Sequence, residues 1–289
     1  MALTAKRILF AHLKIFKVLG FCSVSESDNL LHQLITERCL LLWSWFLLIG
    51  FNVITFVVLL SKDEFLYKGD NFGCFNDVIK IVFANLAVNC AYLESIFKRC
   101  SIRKFWQIYN CLQKHPDEGI KCFNSTVIWR NFRYLLIFYT TIAVEFIGLL
   151  VFLIFQSKNR HLILFWSAYL PFSYVVHMRN MQFIFFIEIL RLELIKLQQD
   201  LQLIVDYSRF VAYGCGFKGI ENFLRREMQS KQKHYELIHE MFEHFQNAFG
   251  LSIVAVLLKI YIQVLADSYF AYYALYMNRN KYGKYAFIF

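Results

Sequence analysis

Long apolar runs separated by charged segments dominate the pattern of this chain. A helix needs about 20 predominantly apolar residues to cross the hydrocarbon core of a bilayer. Five stretches approach or exceed that length, so the pattern predicts an all-α, polytopic bundle of membrane helices. The predicted spans are 39–60, 76–97, 134–155, 161–190 and 249–273, and the outer segment 274–289 can hold the start of a sixth span.

The charged segment 191–248 between spans four and five also has a helical pattern. Its apolar residues recur at heptad-like steps, which indicates helices that pack along a narrow stripe. One series is Leu190, Leu194, Leu197, Leu201 and Ile204, and the other is Tyr235, Ile238, Phe242, Phe245 and Phe249. Because each series is continuous with a span, we expect spans four and five to extend into the cytoplasm and to pack together there. A local helical hairpin without a wider role is the alternative.

The segment 98–133 between spans two and three is likewise predicted to be a helical connection. We expect span two to continue past Phe97 to about Lys114. The limit is set by Pro116, because the residue before a proline disfavours helix.

The distribution of positive charge predicts which side of the membrane each segment faces. Of the 31 Lys and Arg residues, 21 lie in the segments 1–38, 98–133 and 191–248, and seven lie in the alternate connections. Cytoplasmic segments of membrane proteins carry such an excess, so we expect a cytoplasmic N-terminus. The single glycosylation sequon at Asn124 would then face the cytoplasm and stay unmodified.

This topology also limits the class of protein. It explains the net charge of +10 without a nucleic acid as a partner. It argues against a G-protein-coupled receptor, whose N-terminus is outside. The N-terminal segment lacks a cleavage site for a signal peptide, and we expect it to form an amphipathic helix at the membrane interface.

The composition supports a helical membrane protein and offers little for catalysis. Hydrophobic residues make up 58% of the chain and charged residues 18%, whereas soluble globular proteins have roughly 45–50% and about 25%. Only two prolines occur, which argues against a β-barrel with its frequent turns. The sequence has no Cys-x-x-Cys pair, phosphate-binding glycine loop or His-Glu-x-x-His motif. We therefore expect no enzyme activity, no metal and no cofactor.

Polar residues inside the spans are the candidates for a binding site. Lys259, Gln263 and Asp267 recur every fourth residue and therefore line one face of span five. Glu145 is the charged residue of span three. A charge at the bilayer centre costs roughly 3 kcal/mol, and such residues face a bundle interior or water. They form either the polar wall of a ligand pocket or a structural pair, such as Lys259 with Asp267 or one between helices.

Aromatic residues of span four supply further candidates. Trp166, Tyr169 and Tyr174 flank Pro171 and could stack on a flat organic ligand, or they could belong to an interfacial aromatic belt. Arg179 lies nearer the inner half of the span, and we expect it to reach the cytoplasmic interface. The ligand-binding candidates are Glu145, Trp166, Tyr169, Gln263 and Asp267.

Three stretches of this sequence resemble the insect gustatory receptor family. The run from Leu237 to Tyr273 has that family's cytoplasmic helix leading through Asn247, Phe249 and Gly250 into an aromatic-ended fifth span. The runs "HLKIFKVLGFCSVS" and "RLELIKLQQDLQLI" are similar to its first segment and its fourth helix. The resemblance implies a chemosensory, ligand-gated cation channel of the plasma membrane that detects small organic tastants.

The same resemblance implies a homo- or hetero-tetramer of seven-span subunits, with the ligand pocket in the outer half of each bundle. The residues expected to assemble the subunits are Tyr235, Ile238, Phe242, Phe245 and Phe249. The family's seventh-span hallmark, Thr-Tyr followed after five residues by Gln-Phe, is absent from this sequence. We therefore expect a fragment, a truncated isoform or a degenerate copy that does not form a channel alone. A small secondary transporter or a membrane scaffold is the alternative function.

Overall fold

Helices account for every regular element of the described residues, which are 12–21, 30–61, 71–113, 121–155, 160–214 and 220–276 of the computed structural model. Within these ranges the chain forms seven helices and no strand, which confirms the predicted helical bundle. The helices are α1 (12–18), α2 (Leu30–Leu60), α3 (Asn71–Phe97), α4 (Arg99–Gln113), α5 (Lys121–Phe155), α6 (Arg160–Gly214) and α7 (Ile220–Tyr276).

Three of these helices are long and apolar enough to cross a membrane. The qualifying segments are Ile35–Leu60, Gly73–Phe97 and Glu221–Tyr269, and Leu136–Val151 is a shorter apolar helix. These four segments overlap the predicted spans one, two, five and three. The predicted span 161–190 does not qualify among the described residues, since polar and weakly apolar side chains interrupt it.

The two longest helices form an antiparallel hairpin. Contacts between α6 and α7 occur at well-separated levels: Tyr169 with Gln263, Arg179 with Ser252, and Asp200 with Lys231. A helix of 57 residues such as α7 is about 85 Å long at 1.5 Å per residue, well beyond a hydrocarbon core of about 30 Å. The helical segment before Phe249 and the span after it are therefore one rod.

The second span does not continue as one helix, contrary to the prediction. α3 ends at Phe97, and a turn at Lys98 precedes α4, which ends at Gln113. The Lys98 amide donates to the Glu94 carbonyl at 2.8 Å, as in an α-helix, whereas the Ser101 amide donates to the Lys98 carbonyl at 3.0 Å, the tighter bond of a 3₁₀ turn. Beyond this turn, α4 packs against α6 and α7. The predicted end, Lys114, lies outside the described residues.

The contact between α4 and the hairpin is aromatic. Phe105 and Trp106 are buried, and both rings meet the ring of Phe186 on α6, at centroid distances of 4.8 and 5.6 Å. Burial of large aromatic side chains contributes strongly to packing. This contact joins α4 to the hairpin.

Asparagines join the first two membrane helices. The Asn52 amide nitrogen donates to the Asn89 side-chain oxygen at 2.7 Å, and Asn85 and Asn89 both donate to the Asn52 oxygen, at 3.2 and 3.1 Å. Polar side chains that bond across helices stabilise membrane bundles modestly, by about 0.6 kcal/mol each. These three asparagines therefore have a structural role.

One side of the N-terminal helix packs against the core of the bundle. Leu13 and Phe16 on α1 are buried, and the Phe16 ring lies 5.7 Å from the ring of Phe185 on α6. The predicted amphipathic pattern is present, since Lys14 is exposed. The apolar side of this helix therefore contacts α6, and its location at the membrane interface stays a prediction.

A glycine ends α1 with a turn that a side chain would not permit. Gly20 has a φ of 76°, and the Phe21 amide donates to the Phe16 carbonyl at 2.9 Å, which is the hydrogen bond of a Schellman cap. A Cβ at Gly20 would lie 3.1 Å from Leu47 and 3.2 Å from Tyr92. Both backbone conformation and space therefore require glycine here.

Four consecutive carbonyls at this turn each accept a hydrogen bond from a side chain of another helix. The bonds are Trp43 to Val18 (2.8 Å), Tyr92 to Leu19 (3.1 Å), Ser44 to Gly20 (2.7 Å) and Gln182 to Phe21 (3.2 Å). The last carbonyls of a helix lack intrahelical partners, and here α2, α3 and α6 supply them. The turn therefore fixes the N-terminal segment at the centre of the bundle.

Candidate functional site

A cluster of polar side chains joins α6 to the apolar segment of α7. Tyr169 is buried, and its hydroxyl donates to the Gln263 side-chain oxygen at 3.2 Å. The ammonium of Lys259 lies 5.7 Å from the centroid of the Tyr169 ring. One helical turn brings Lys259 and Gln263 to the same face of α7, so both meet Tyr169. We call these three residues, with Asp267 and Lys80, the polar cluster.

Asp267 pairs across helices and not with its neighbour on α7. Its carboxylate forms an ion pair with Lys80 on α3, whose side chain is almost fully buried. Of the structural pairs considered from the sequence, the cross-helix pair is the one formed. Lys259, which is 5% exposed, makes no hydrogen bond or ion pair within 4.0 Å among the described residues. The polar cluster thus holds two cations and one anion.

The structure brings together some of the sequence candidates and leaves another apart. Tyr169, Gln263 and Asp267 belong to the polar cluster, and the half-buried Trp166 contacts Tyr169 with ring centroids 5.7 Å apart. Glu145 is exposed on α5. Its charge acts on Lys259 by electrostatic attraction, but no hydrogen bond or ion pair joins it to the polar cluster among the described residues.

Arg179 forms a second buried centre, and the expectation that it reaches the cytoplasmic interface is wrong. The residue is 2% exposed. Its guanidinium lies 4.3 Å from the centroid of the Phe249 ring and 5.8 Å from that of Phe21. It donates hydrogen bonds to Glu94 (3.2 Å), Ser95 (3.3 Å), Gln182 (2.6 Å), Ser252 (3.2 Å) and the carbonyl of Ala248 (3.0 Å).

Glu94 connects this centre to the backbone of α7. Its carboxylate accepts the amides of Leu251 at 2.6 Å and Ser252 at 3.0 Å, next to Gly250. Backbone amides that converge on a carboxylate are usual at the start of a helix, whereas these lie inside one. Glu94 and Arg179 therefore bind α7 where its charged half meets its apolar half.

A sequence pattern was available for this second centre. Glu94 and Arg179 are opposite charges in two different predicted spans. Intramembrane charges usually pair with each other. The pattern does not show which faces of two helices meet, so it could suggest the pair but not its contacts with Ser252 and Ala248.

The predicted assembly residues divide into buried and exposed groups. Ile238, Phe245 and Phe249 are buried inside this chain, and the Phe245 and Phe249 rings meet Phe183 of α6. Tyr235 and Phe242 are 53% and 44% exposed. The heptad-like stripe of α7 thus holds the hairpin to its own core, and only part of it is free for another subunit.

An open apolar groove runs between the two helices of the hairpin beside Phe242. Its volume is about 660 Å³. Apolar side chains line most of it, and Arg191 and Gln246 lie at its edge. The lining includes Phe183, Ile187, Leu194, Phe242, Phe249 and Ile253.

Comparison with known proteins assigns the family of this bundle. The profile of the 7tm chemosensory receptors matches residues 9–288. The chain belongs to the 7tm chemosensory receptor family. This match confirms the resemblance of the sequence to chemosensory receptors and covers α1 through α7. No curated protein and no solved structure match this chemosensory receptor chain.

Proposed function

We propose that this chain is a subunit of a gustatory receptor, a ligand-gated cation channel of the plasma membrane that detects a small organic tastant. The polar cluster is the observation that supports the proposal. Buried polar and charged groups are costly inside a membrane and mark binding sites or transport pathways. Membership of the chemosensory family supports a receptor role, and the polar cluster is the proposed place for the ligand.

The proposed pocket combines an aromatic wall with polar groups. Trp166 and Tyr169 offer ring faces, and Gln263 and Asp267 offer hydrogen-bonding groups. Glu145 is exposed on α5 and would act on this pocket through its charge alone. Ligand pockets are usually apolar with a few polar groups that fix orientation, and this set has that composition.

Because α7 is one long helix, it could transmit a movement at the ligand site to the rest of the receptor. Gln263 and Phe242 lie on the same continuous helix, so a tilt at the polar cluster moves the hairpin. We propose that related receptor subunits join this chain in a homo- or hetero-tetramer through the exposed Tyr235 and Phe242. A displacement of α7 then reaches the neighbouring subunit directly.

The cytoplasmic position of the N-terminus is tested by glycosylation at Asn124. Under this topology the sequon faces the cytoplasm, so expression in insect cells should give a protein whose mobility an endoglycosidase does not change. A control chain with an engineered sequon in 62–70 should be glycosylated, since that connection is then outside. A mobility shift that disappears in Asn124→Gln would overturn the topology.

The receptor function is tested with an expressed chain and a panel of organic tastants. Cation current is measured in cells that also express a related full-length receptor subunit, for the wild type, Asp267→Ala and the matched control Asp206→Ala. Asp206 is exposed near the end of the hairpin. We expect Asp267→Ala alone to change the ligand response at equal surface amount. An unchanged response would exclude the polar cluster as the site.

A further inference from the structure

Lys259 is a buried cation with no carboxylate in contact. It lies on α7 within the apolar segment, and the acid on its own helix face, Asp267, forms its ion pair with Lys80 instead. Asp267 and the exposed Glu145 attract Lys259 only from beyond 4.0 Å. Among the described residues, the Lys259 ammonium therefore has no direct anionic partner.

A buried cation without a contacting anion is unusual inside a membrane bundle. Ionisable groups in spans pair with one another or mark a ligand pathway, because their desolvation is costly. The same chain satisfies its other buried cation fully, since Arg179 has a carboxylate and four further hydrogen-bond acceptors. The fold can thus provide counter-ions, and among the described residues it provides none within 4.0 Å of Lys259.

The groups around Lys259 indicate which chemical features a bound ligand would need. The Tyr169 ring presents its face to the ammonium, and the Phe165 ring stacks on it almost in parallel, with centroids 5.8 Å apart. The Gln263 oxygen accepts from Tyr169, and its amide nitrogen donates to no described residue. A cation and an amide donor therefore lie beside a flat aromatic surface.

We propose that the ligand of this site is a small organic acid, whose carboxylate pairs with Lys259 and accepts from the Gln263 amide while its apolar body lies against Tyr169 and Trp166. This inference rests on the proposed function and names its ligand class. An amine ligand is disfavoured, since Lys80 and Lys259 would repel it and the Asp267 carboxylate is already paired.

The test compares matched probes on the purified full chain in phosphatidylcholine nanodiscs. Benzoate, benzamide and benzylamine share one ring and differ in charge, and sodium chloride is the ionic control. Binding is followed by thermal unfolding and by titration. We expect benzoate to bind at least about tenfold more tightly than benzamide, because a hydrogen bond to a charged group contributes about 1.5–3 kcal/mol.

Variants of Lys259 then test whether this residue causes the preference for benzoate. Lys259→Met should lose the preference for benzoate, Lys259→Arg should retain part of it, and the exposed control Lys233→Met should behave as wild type. Equal binding of benzoate and benzamide to the wild type would overturn the acid ligand and leave a chemosensory role standing. This comparison needs no variant, so it holds even if Lys259→Met does not fold.

Further control experiments distinguish an organic acid from other anions that could bind at Lys259. A shift reproduced by sodium chloride alone would overturn the proposal in favour of an inorganic ion. Phosphatidylserine nanodiscs that block benzoate through Lys259 would place a lipid headgroup at the site instead. Failure of every tastant, acidic or neutral, to bind would reject the proposed function itself.

Discussion

Arg179 and Lys259 are two buried cations in one bundle with opposite surroundings. Arg179 is held by α3, α6, α7 and the turn after α1, and its charge meets Glu94. Lys259 meets one aromatic ring and no acid within 4.0 Å among the described residues. A cation whose hydrogen bonds and ion pair are all formed within the protein has a structural role. A cation that lacks such partners is available to bind a ligand.

The largest effect is expected from breaking the Arg179 centre. Arg179→Met leaves Glu94 charged and buried, and removal of one partner of a buried ion pair costs about 3–5 kcal/mol. We expect a strong loss of monodisperse protein in size-exclusion chromatography. The double variant Glu94→Gln/Arg179→Met should recover part of the yield. Wild-type yield of the single variant would contradict a structural role for Arg179.

The next effect concerns the turn that places Phe21 against Arg179. Gly20→Ala must adopt a left-handed backbone at a cost of about 1–2 kcal/mol, and its Cβ also crowds Leu47 and Tyr92. We expect a clearly lower unfolding temperature. Gly250→Ala is the matched control, because no atom lies within 4 Å of its added Cβ. If both variants lower the unfolding temperature equally, the turn has no special role.

A smaller effect is expected when the counter-ion of the polar cluster is released. Lys80→Met frees Asp267 from its ion pair, so Asp267 attracts Lys259 more strongly along the same helix face. Acid binding should fall, because Lys259 gains an internal partner, and Lys80→Met/Asp267→Asn should restore it. Titration with benzoate measures both. Unchanged affinity in Lys80→Met would show that Lys259 does not share its surroundings with Asp267.

The smallest effect on stability is expected for Lys259 itself. Replacing a poorly paired buried charge by an apolar side chain of similar volume is often neutral or stabilising. Lys259→Met should therefore unfold at or slightly above the wild-type temperature, in contrast to Arg179→Met. A loss as large as that of Arg179→Met would remove the distinction between the two cations.

The sequence predicted the elements better than their contacts. Apolar runs and heptad-like steps indicated α6 and α7 as long helices, because helical continuity is a local property. The turn at Lys98 was missed, and so were the contacts of Phe105 and Trp106 beyond it with Phe186 on α6. No local pattern contains that information.

For the candidate site too, the sequence predicted the residues better than their contacts. Spacing by four residues correctly put Lys259, Gln263 and Asp267 on one face of α7. The spacing could not show that Asp267 forms its ion pair with Lys80, because that contact depends on which faces of α3 and α7 meet. Arg179 was assigned to the interface for the same reason: its position along the span was known, but not its partners.

The turn at Val18–Phe21 is synthesised well before the residues that bond to it. Its partners Tyr92 and Gln182 follow Leu19 and Phe21 by 73 and 161 residues. At about 5–20 residues per second, a ribosome needs roughly 10–30 s to reach Gln182 after Phe21. During that interval the site that receives the apolar side of α1 is incomplete. The helix α1 is therefore synthesised well before all of its partners are available.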